Sequence, residues 1–285
     1  MKSILLFLLC FLVTPLQAAS SVWKVESAST TLFLAGTVHV LRDSDYPLPA
    51  AFGKAYQQAQ QLVFEVDIQQ AQSPTFQQSM AEAARLPPGT RLQDILQPET
   101  LKKLRDHLES KGMQLSQFEG LKPSIIATTL TMMELRNIGV SNEGVDAHFY
   151  LKAQRDGKKT SALETSQQQI SYLLQMGEDN EDLMILQTLE EVKSLKSDFS
   201  DMLDSWRSGD TTRLEVLFVQ PMKDRFEPIY QSLLVERNQN WMHKLQELMK
   251  TPETELVLVG TAHMIGQDGL LSLLAKKGYR ISQLE

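Results

Sequence analysis

The sequence predicts an α/β fold: a mainly parallel sheet formed by both ends of the chain, with a large helical middle. Two observations carry this. Two short apolar, β-prone runs, residues 31–35 (TLFLA) and 255–259 (ELVLV), end in the same pattern, Gly36-Thr37-Val38-His39 and Gly260-Thr261-Ala262-His263. Each motif is followed by a polar or glycine-containing loop, a helix-like segment and another strand. That is the order of a βαβ unit, and near-continuous apolar strands suit a parallel sheet covered on both faces.

The composition supports a globular chain. Of 285 residues, 42% are hydrophobic and 22% charged, with 14 Gly and 11 Pro, which excludes disordered and low-complexity architectures. With 28 Lys plus Arg against 35 Asp plus Glu, the net charge of −7 argues against a nucleic-acid partner. No basic aromatic-rich stretch, heptad array or Walker-type loop is present.

Taken in order, Met1 and Lys2, the apolar run 4–13 and Thr14 to Ala18 read as the three regions of a secretory signal over residues 1–18. Its apolar run is too short to span a bilayer core of about 30 Å as a permanent helix. The single cysteine, Cys10, falls inside it, so the exported protein is expected to hold no thiol and to rely on core packing alone. A periplasmic or secreted protein with no permanent membrane anchor after signal removal is the expectation.

After the first motif come a helix over 50–61 and a strand over 62–68. Helices are predicted over 74–85, 98–111, 123–137 and 145–155. A strand over 160–163 precedes Glu164, and Thr165 with Gln168 forms a capping box for a helix from about 166. Residues 177–182 (GEDNED) read as a solvated loop. In the helix over 183–206, Leu186, Leu189, Val192, Leu195, Phe199, Met202 and Trp206 recur at three- and four-residue spacing, an apolar stripe that reads as core. A helix begins near Ile229, and after the second motif come a helix over 270–277 and a strand over 279–284.

In open parallel sheets, ligands bind beyond the carboxyl ends of the strands. The candidates there are His39, Glu65, Glu164 and His263. Two imidazoles with one or two carboxylates make a sufficient donor set for Zn²⁺, Mn²⁺, Fe²⁺ or Co²⁺, and such a metal lowers the pKa of a bound water and polarises a carbonyl. His39, His263 and Glu65 are the expected ligands, and Glu65 and Glu164 the expected catalytic carboxylates. Glu65 and Asp67 would share one face of an ideal strand, the alternative being one solvated edge and one helix cap. Asp146 sits near a helix start as a cap or a support for a ligand, and His148 reads as structural or supporting. Arg237 and Asn238 are candidates for binding substrate, with Arg237 and Trp241 on one helix face. His107 and His243 read as exposed.

With these residues in place, the chain resembles the TraB/PrgY/GumN family, which includes Tiki-type metalloproteases. The likeness rests on both Gly-Thr-x-His motifs, the acid-bearing strand at Glu65, Gly144-Val145-Asp146, Gly157-Lys158-Lys159 leading to Leu163-Glu164-Thr165, and Arg237-Asn238. It implies one α/β domain over 19–285 with a helical insertion about 73–250, similar to the erythromycin-esterase and ChaN-like folds. For Tiki-type members it also implies Mn²⁺- or Co²⁺-dependent peptide cleavage. The leading expectation is an exported metal-dependent peptide hydrolase. The alternatives are a non-enzymatic periplasmic protein that sequesters a peptide or small molecule, and a metal-independent, esterase-like hydrolase.

Overall fold

The computed structural model describes residues 20–141 and 143–285. The predicted signal, Cys10 and the cleavage point after Ala18 lie outside the described residues.

Six strands form one sheet: β1 (Val22–Glu26), β2 (Thr31–Thr37), β3 (Gln61–Phe64), β4 (Lys159–Ala162), β5 (Glu255–Gly260) and β6 (Arg280–Gln283). Their order is β4-β3-β5-β2-β1-β6. β2, β5, β3 and β4 are mutually parallel, while β1 runs antiparallel to both β2 and β6. The fold is therefore α/β, with the two chain ends interleaved in a mostly parallel sheet. β5 is buried along its whole length at the centre, which is why it reads as a continuous apolar run.

β1 is an element beyond those predicted, and it separates β6 from the parallel strands. Its sequence, VWKVE, is short and lies directly after the predicted signal. β3 corrects the predicted strand 62–68, because it stops at Phe64. Asp67 then accepts the Gln70 N–H at 3.1 Å and caps the short helix Ile68–Ala71. Glu65 and Asp67 accordingly do not share a strand face: Glu65 is buried and Asp67 is exposed.

The helices Ala50–Gln58, Pro74–Ala83, Pro98–Ser110, Pro123–Asn137 and Val145–Asp156 stand close to their predicted places, three of them opening on proline, whose missing N–H is harmless there. Thr165 caps Ser166–Gln175 through the reciprocal bonds of the predicted capping box. The helix Glu181–Ser208 begins inside the stretch predicted as loop. Leu189, Val192, Phe199 and Trp206 of its predicted stripe are buried, whereas Leu186, Leu195 and Met202 are half-buried. The helix expected near Ile229 begins at Glu227, after a break at Phe226, and further helical turns precede it from Thr211. Residues 211–248 alternate α-helix with two wider π-helical turns, Glu215–Val219 and Gln231–Glu236, the second leading directly into Arg237–Leu248.

Candidate active site

Because β4, β3, β5 and β2 are adjacent and parallel, their carboxyl ends place Glu164, Glu65, His263 and His39 in one row. The two Gly-Thr-x-His motifs meet there. Thr261 Oγ1 donates to Thr37 O at 2.9 Å, and a Cβ on Gly36 would stand 3.1 Å from that Thr261 oxygen. Their histidines nevertheless differ. His39 lies in a bend with its side chain 62% exposed, while His263 sits in a helical turn and is 4% exposed.

His39 is oriented by Asp146. Its Nδ1 donates to Asp146 Oδ2 at 2.9 Å, and Asp146 Oδ1 accepts from Thr37 Oγ1 at 3.0 Å. Gly144 allows this approach: a Cβ there would lie 2.2 Å from the His39 carbonyl, and Val145 N–H donates to Val38 O at 3.0 Å. Desolvation opposes protonation of the His39 ring, but the Asp146 carboxylate wins and raises its pKa to about 9. The Asp146 carboxylate thus favours the protonated ring.

His263 takes the opposite state. Asn238 Nδ2 donates to the carbonyls of His263 and Asp268, at 3.2 and 2.8 Å, which fixes its amide. Asn238 Oδ1 must then accept from His263 Nδ1, 2.8 Å away, leaving the lone pair on Nε2. Burial outweighs the attraction of Glu65 and lowers the His263 pKa to about 3, so the ring is neutral.

Arg237 joins the buried groups. Its Nε and Nη2 donate to the two oxygens of Glu164 at 3.1 and 2.7 Å, and Nη2 also donates to Glu65 Oε2 at 2.7 Å. Nη1 donates to His263 Nε2 at 3.0 Å and Leu233 O at 3.3 Å. A guanidinium has five N–H donors, and these bonds use all of them. Glu65 Oε1 accepts the Gly260 N–H at 2.7 Å, and Gln169 Nε2 approaches Oε2 at 3.3 Å. Burial would raise the Glu65 pKa, but the positive charges of Arg237 and His39 and the Gly260 N–H hold it below the usual carboxylate range. Burial raises that of Glu164 against the pull of Arg237.

The structure thus brings His39, Glu65, Glu164, His263, Arg237, Asn238 and Asp146 together. Arg237 and Asn238, expected to bind substrate, are both buried, and in this arrangement their side-chain donors are engaged inside the protein. His148 lies apart from this network, its ring tilted against Tyr46 and edge-to-face with Phe149 at centroid distances of 5.3 and 5.2 Å. His107 is half-buried rather than exposed, and His243 is exposed. Gln169 joins the site without any distinguishing sequence signal, whereas Thr37 is the shared threonine of the first Gly-Thr-x-His motif. Trp241 joins it by donating Nε1 to Glu164 Oε2 at 3.1 Å.

The donor chemistry fits a divalent cation in kind. Both imidazoles are held through Nδ1, as supporting partners hold metal-binding histidines, leaving Nε2 as the coordinating atom. A Cβ on Gly260 would lie 3.1 Å from His39 Nε2 and 3.3 Å from Glu65 Oε1, so the absence of a side chain keeps that space open. His263 Nε2 is 3.9 Å from the same Glu65 oxygen. In the arrangement described, Arg237 occupies the His263 lone pair, and no group of three or more His, Cys, Asp or Glu among the described residues stands in metal-holding geometry.

Parallel strand ends carrying paired Gly-Thr-x-His motifs and two buried glutamates define an α/β protein with a polar, charge-coupled site at the top of its sheet. The chain belongs to the TraB/PrgY/gumN family, whose profile matches residues 21–283. It is 24% identical to the uncharacterized protein YbaP of Escherichia coli over 85% of this chain and 86% of YbaP. It is also 22% identical to the metalloprotease TIKI2 of Xenopus tropicalis, over 92% of this chain and 59% of that protein. The metalloprotease TIKI1 of Danio rerio is 22% identical over 92% of this chain and 62% of its own length. The chain therefore spans about three-fifths of these metalloproteases. No solved structure matches the chain.

Proposed function

We propose that the protein is a metal-dependent hydrolase of peptide bonds, acting outside the inner membrane. The observation that carries this reading is the grouping of His39 Nε2 and Glu65 Oε1 beside Gly260, with His263 Nε2 3.9 Å from the same Glu65 oxygen. The named metalloprotease relatives support the reaction class, and the N-terminal secretory pattern supports the compartment. Among the described residues no helix is long and apolar enough to cross a membrane.

In this reading His39, His263 and Glu65 hold Mn²⁺ or Co²⁺, with Zn²⁺ or Fe²⁺ as chemically similar occupants. The bound cation supplies a water of lowered pKa and polarises the scissile carbonyl. Glu65 serves as a ligand rather than a base, since Arg237 and His39 hold its carboxyl below the usual carboxylate range, which makes it a poor proton acceptor at neutral pH. Asp146 and Asn238 orient the two imidazoles, and Glu164 anchors Arg237. His39 must release its Nε2 proton before it can coordinate.

The test uses full-length protein purified without affinity-tag histidines. Peptide hydrolysis should require added Mn²⁺ or Co²⁺, and His39→Ala and Glu65→Gln should each lose metal binding and turnover together. Full metal binding in both variants would remove these ligands from the scheme. A second reading, cation-free hydrolysis by His39 and Glu65, is favoured by the way Arg237 already serves both carboxylates and His263. Activity that survives a chelator would select it.

A further inference from the structure

We propose that Arg237 is a resident cation of this site, which a divalent metal must dislodge from His263 before that histidine can act as a ligand. The inference rests on the metal-dependent reading and concerns how that metal gains entry.

The Asn238 amide, held by two carbonyls, commits the His263 proton to Nδ1. Only Nε2 can coordinate, and its single lone pair already accepts from Arg237 Nη1 at 3.0 Å. One lone pair serves an N–H or a metal, not both. Arg237 also neutralises Glu65 through a 2.7 Å bond, so two of the three proposed ligands are engaged by one guanidinium.

Arg237 need not leave the protein interior to release them. Nε and Nη2 hold both oxygens of Glu164, whose Oε2 is fixed in turn by Trp241 Nε1. The guanidinium carbon lies 4.7 Å from the centre of the Trp241 ring and 5.6 Å from that of Tyr172, a cation–π berth on two sides. The Nη1 bond to Leu233 O is likewise independent of the proposed ligands. Metal entry therefore requires only the Nη1 bond to His263 to yield, because the bond to Glu65 is made to Oε2 and not to the proposed ligand Oε1, and the remaining four can keep the side chain docked.

The experiment compares the full-length parent with Arg237→Lys. Lysine keeps a positive charge near Glu164 but lacks the planar fork that reaches Glu164, Glu65 and His263 at once. Mn²⁺ is titrated into each protein by calorimetry, and imidazole and guanidinium ¹⁵N resonances of the parent are followed as Zn²⁺ is added. Arg237→Lys should bind Mn²⁺ about tenfold or more tightly, since a competing charge-assisted hydrogen bond is gone. In the parent, the His263 Nε2 and Arg237 Nη1 resonances should move together. Equal or weaker Mn²⁺ binding by a folded Arg237→Lys overturns the proposal. If that variant fails to fold, the parent decides: Zn²⁺ that shifts His39 but leaves His263 and Arg237 in place overturns it. Should neither protein bind metal, both this proposal and the metal-dependent reading fall, whereas binding through His39 and Glu65 with His263 unmoved sinks this proposal alone.

Discussion

Gly260 contributes to the site through the side chain it lacks. Its φ of −52° is open to any L-residue, so space rather than backbone conformation demands glycine. A methyl would stand between His39 Nε2 and Glu65 Oε1. Gly260→Ala should therefore fold with a thermal midpoint within a few degrees of the parent, yet lose at least about tenfold in Mn²⁺ affinity, a loss of the size that follows disturbed ligand support. Calorimetry beside a thermal melt checks this, and unchanged affinity in a folded variant would place the cation elsewhere. Gly144 is a harsher case, because its Cβ would overlap the His39 backbone itself. The paired motifs were readable because each is a local event, an apolar strand meeting Gly-Thr-x-His. The role of Arg237 was not, since its partner Glu65 lies 172 residues away and Glu164 lies 73. Only their convergence shows that its donors are engaged inside the protein.

Among the elements, β2 and β5, buried almost throughout, read as continuous apolar runs, and the more exposed β4 and β6 also stand near their predicted places. β3 was read too long because Val66 and Ile68 continue its apolar alternation, whereas Asp67 ends it by capping the next helix. The π-helical turns before Arg237 escaped notice because side-chain periodicity over a few residues does not distinguish a five-residue from a four-residue hydrogen-bond step. At the opposite end of β5 from the site, Glu255 is 2% exposed; Oε1 accepts from Thr251 Oγ1 at 3.0 Å, but Oε2 has no partner. Burial raises its pKa, with Thr251 opposing. A carboxyl with a raised folded-state pKa binds its proton more tightly folded than unfolded. Its contribution to stability is thus fully present below the unfolded pKa and is lost as pH rises through the folded one. Glu255→Gln, which removes the charge, should stabilise the protein by about 1 kcal/mol at pH 8 and by less at pH 4. Urea unfolding at both pH values measures this, and a larger gain at pH 4 would reverse the argument.

Among the described residues, buried side chains form two apolar clusters. One surrounds the sheet and contains Trp23, Trp206 and Trp241, which are all the tryptophans of the chain. The other lies among the helices of the middle, around Leu92, Leu104, Leu108, Ile126 and Leu130. The helix Glu181–Ser208 joins them: Ile185 and Leu189 pack in the second cluster, and Phe199, Leu203 and Trp206 in the first. At 28 residues it is a rod of about 42 Å, and losing its contacts at one end removes support from the other. Its apolar stripe was readable as core, but not as the link between two cores, because the phase of the stripe does not reveal what faces it. Leu104 is fully buried in the second cluster, so Leu104→Ala should cost about 2–5 kcal/mol. Tryptophan fluorescence reports only on the sheet cluster, while far-UV circular dichroism reports on every helix. If the long helix couples the clusters, both signals should lose their midpoints together in Leu104→Ala, as one cooperative transition. A fluorescence midpoint that stays at the parent value while the dichroism midpoint falls would show that the helical middle unfolds by itself, leaving the sheet and its site intact.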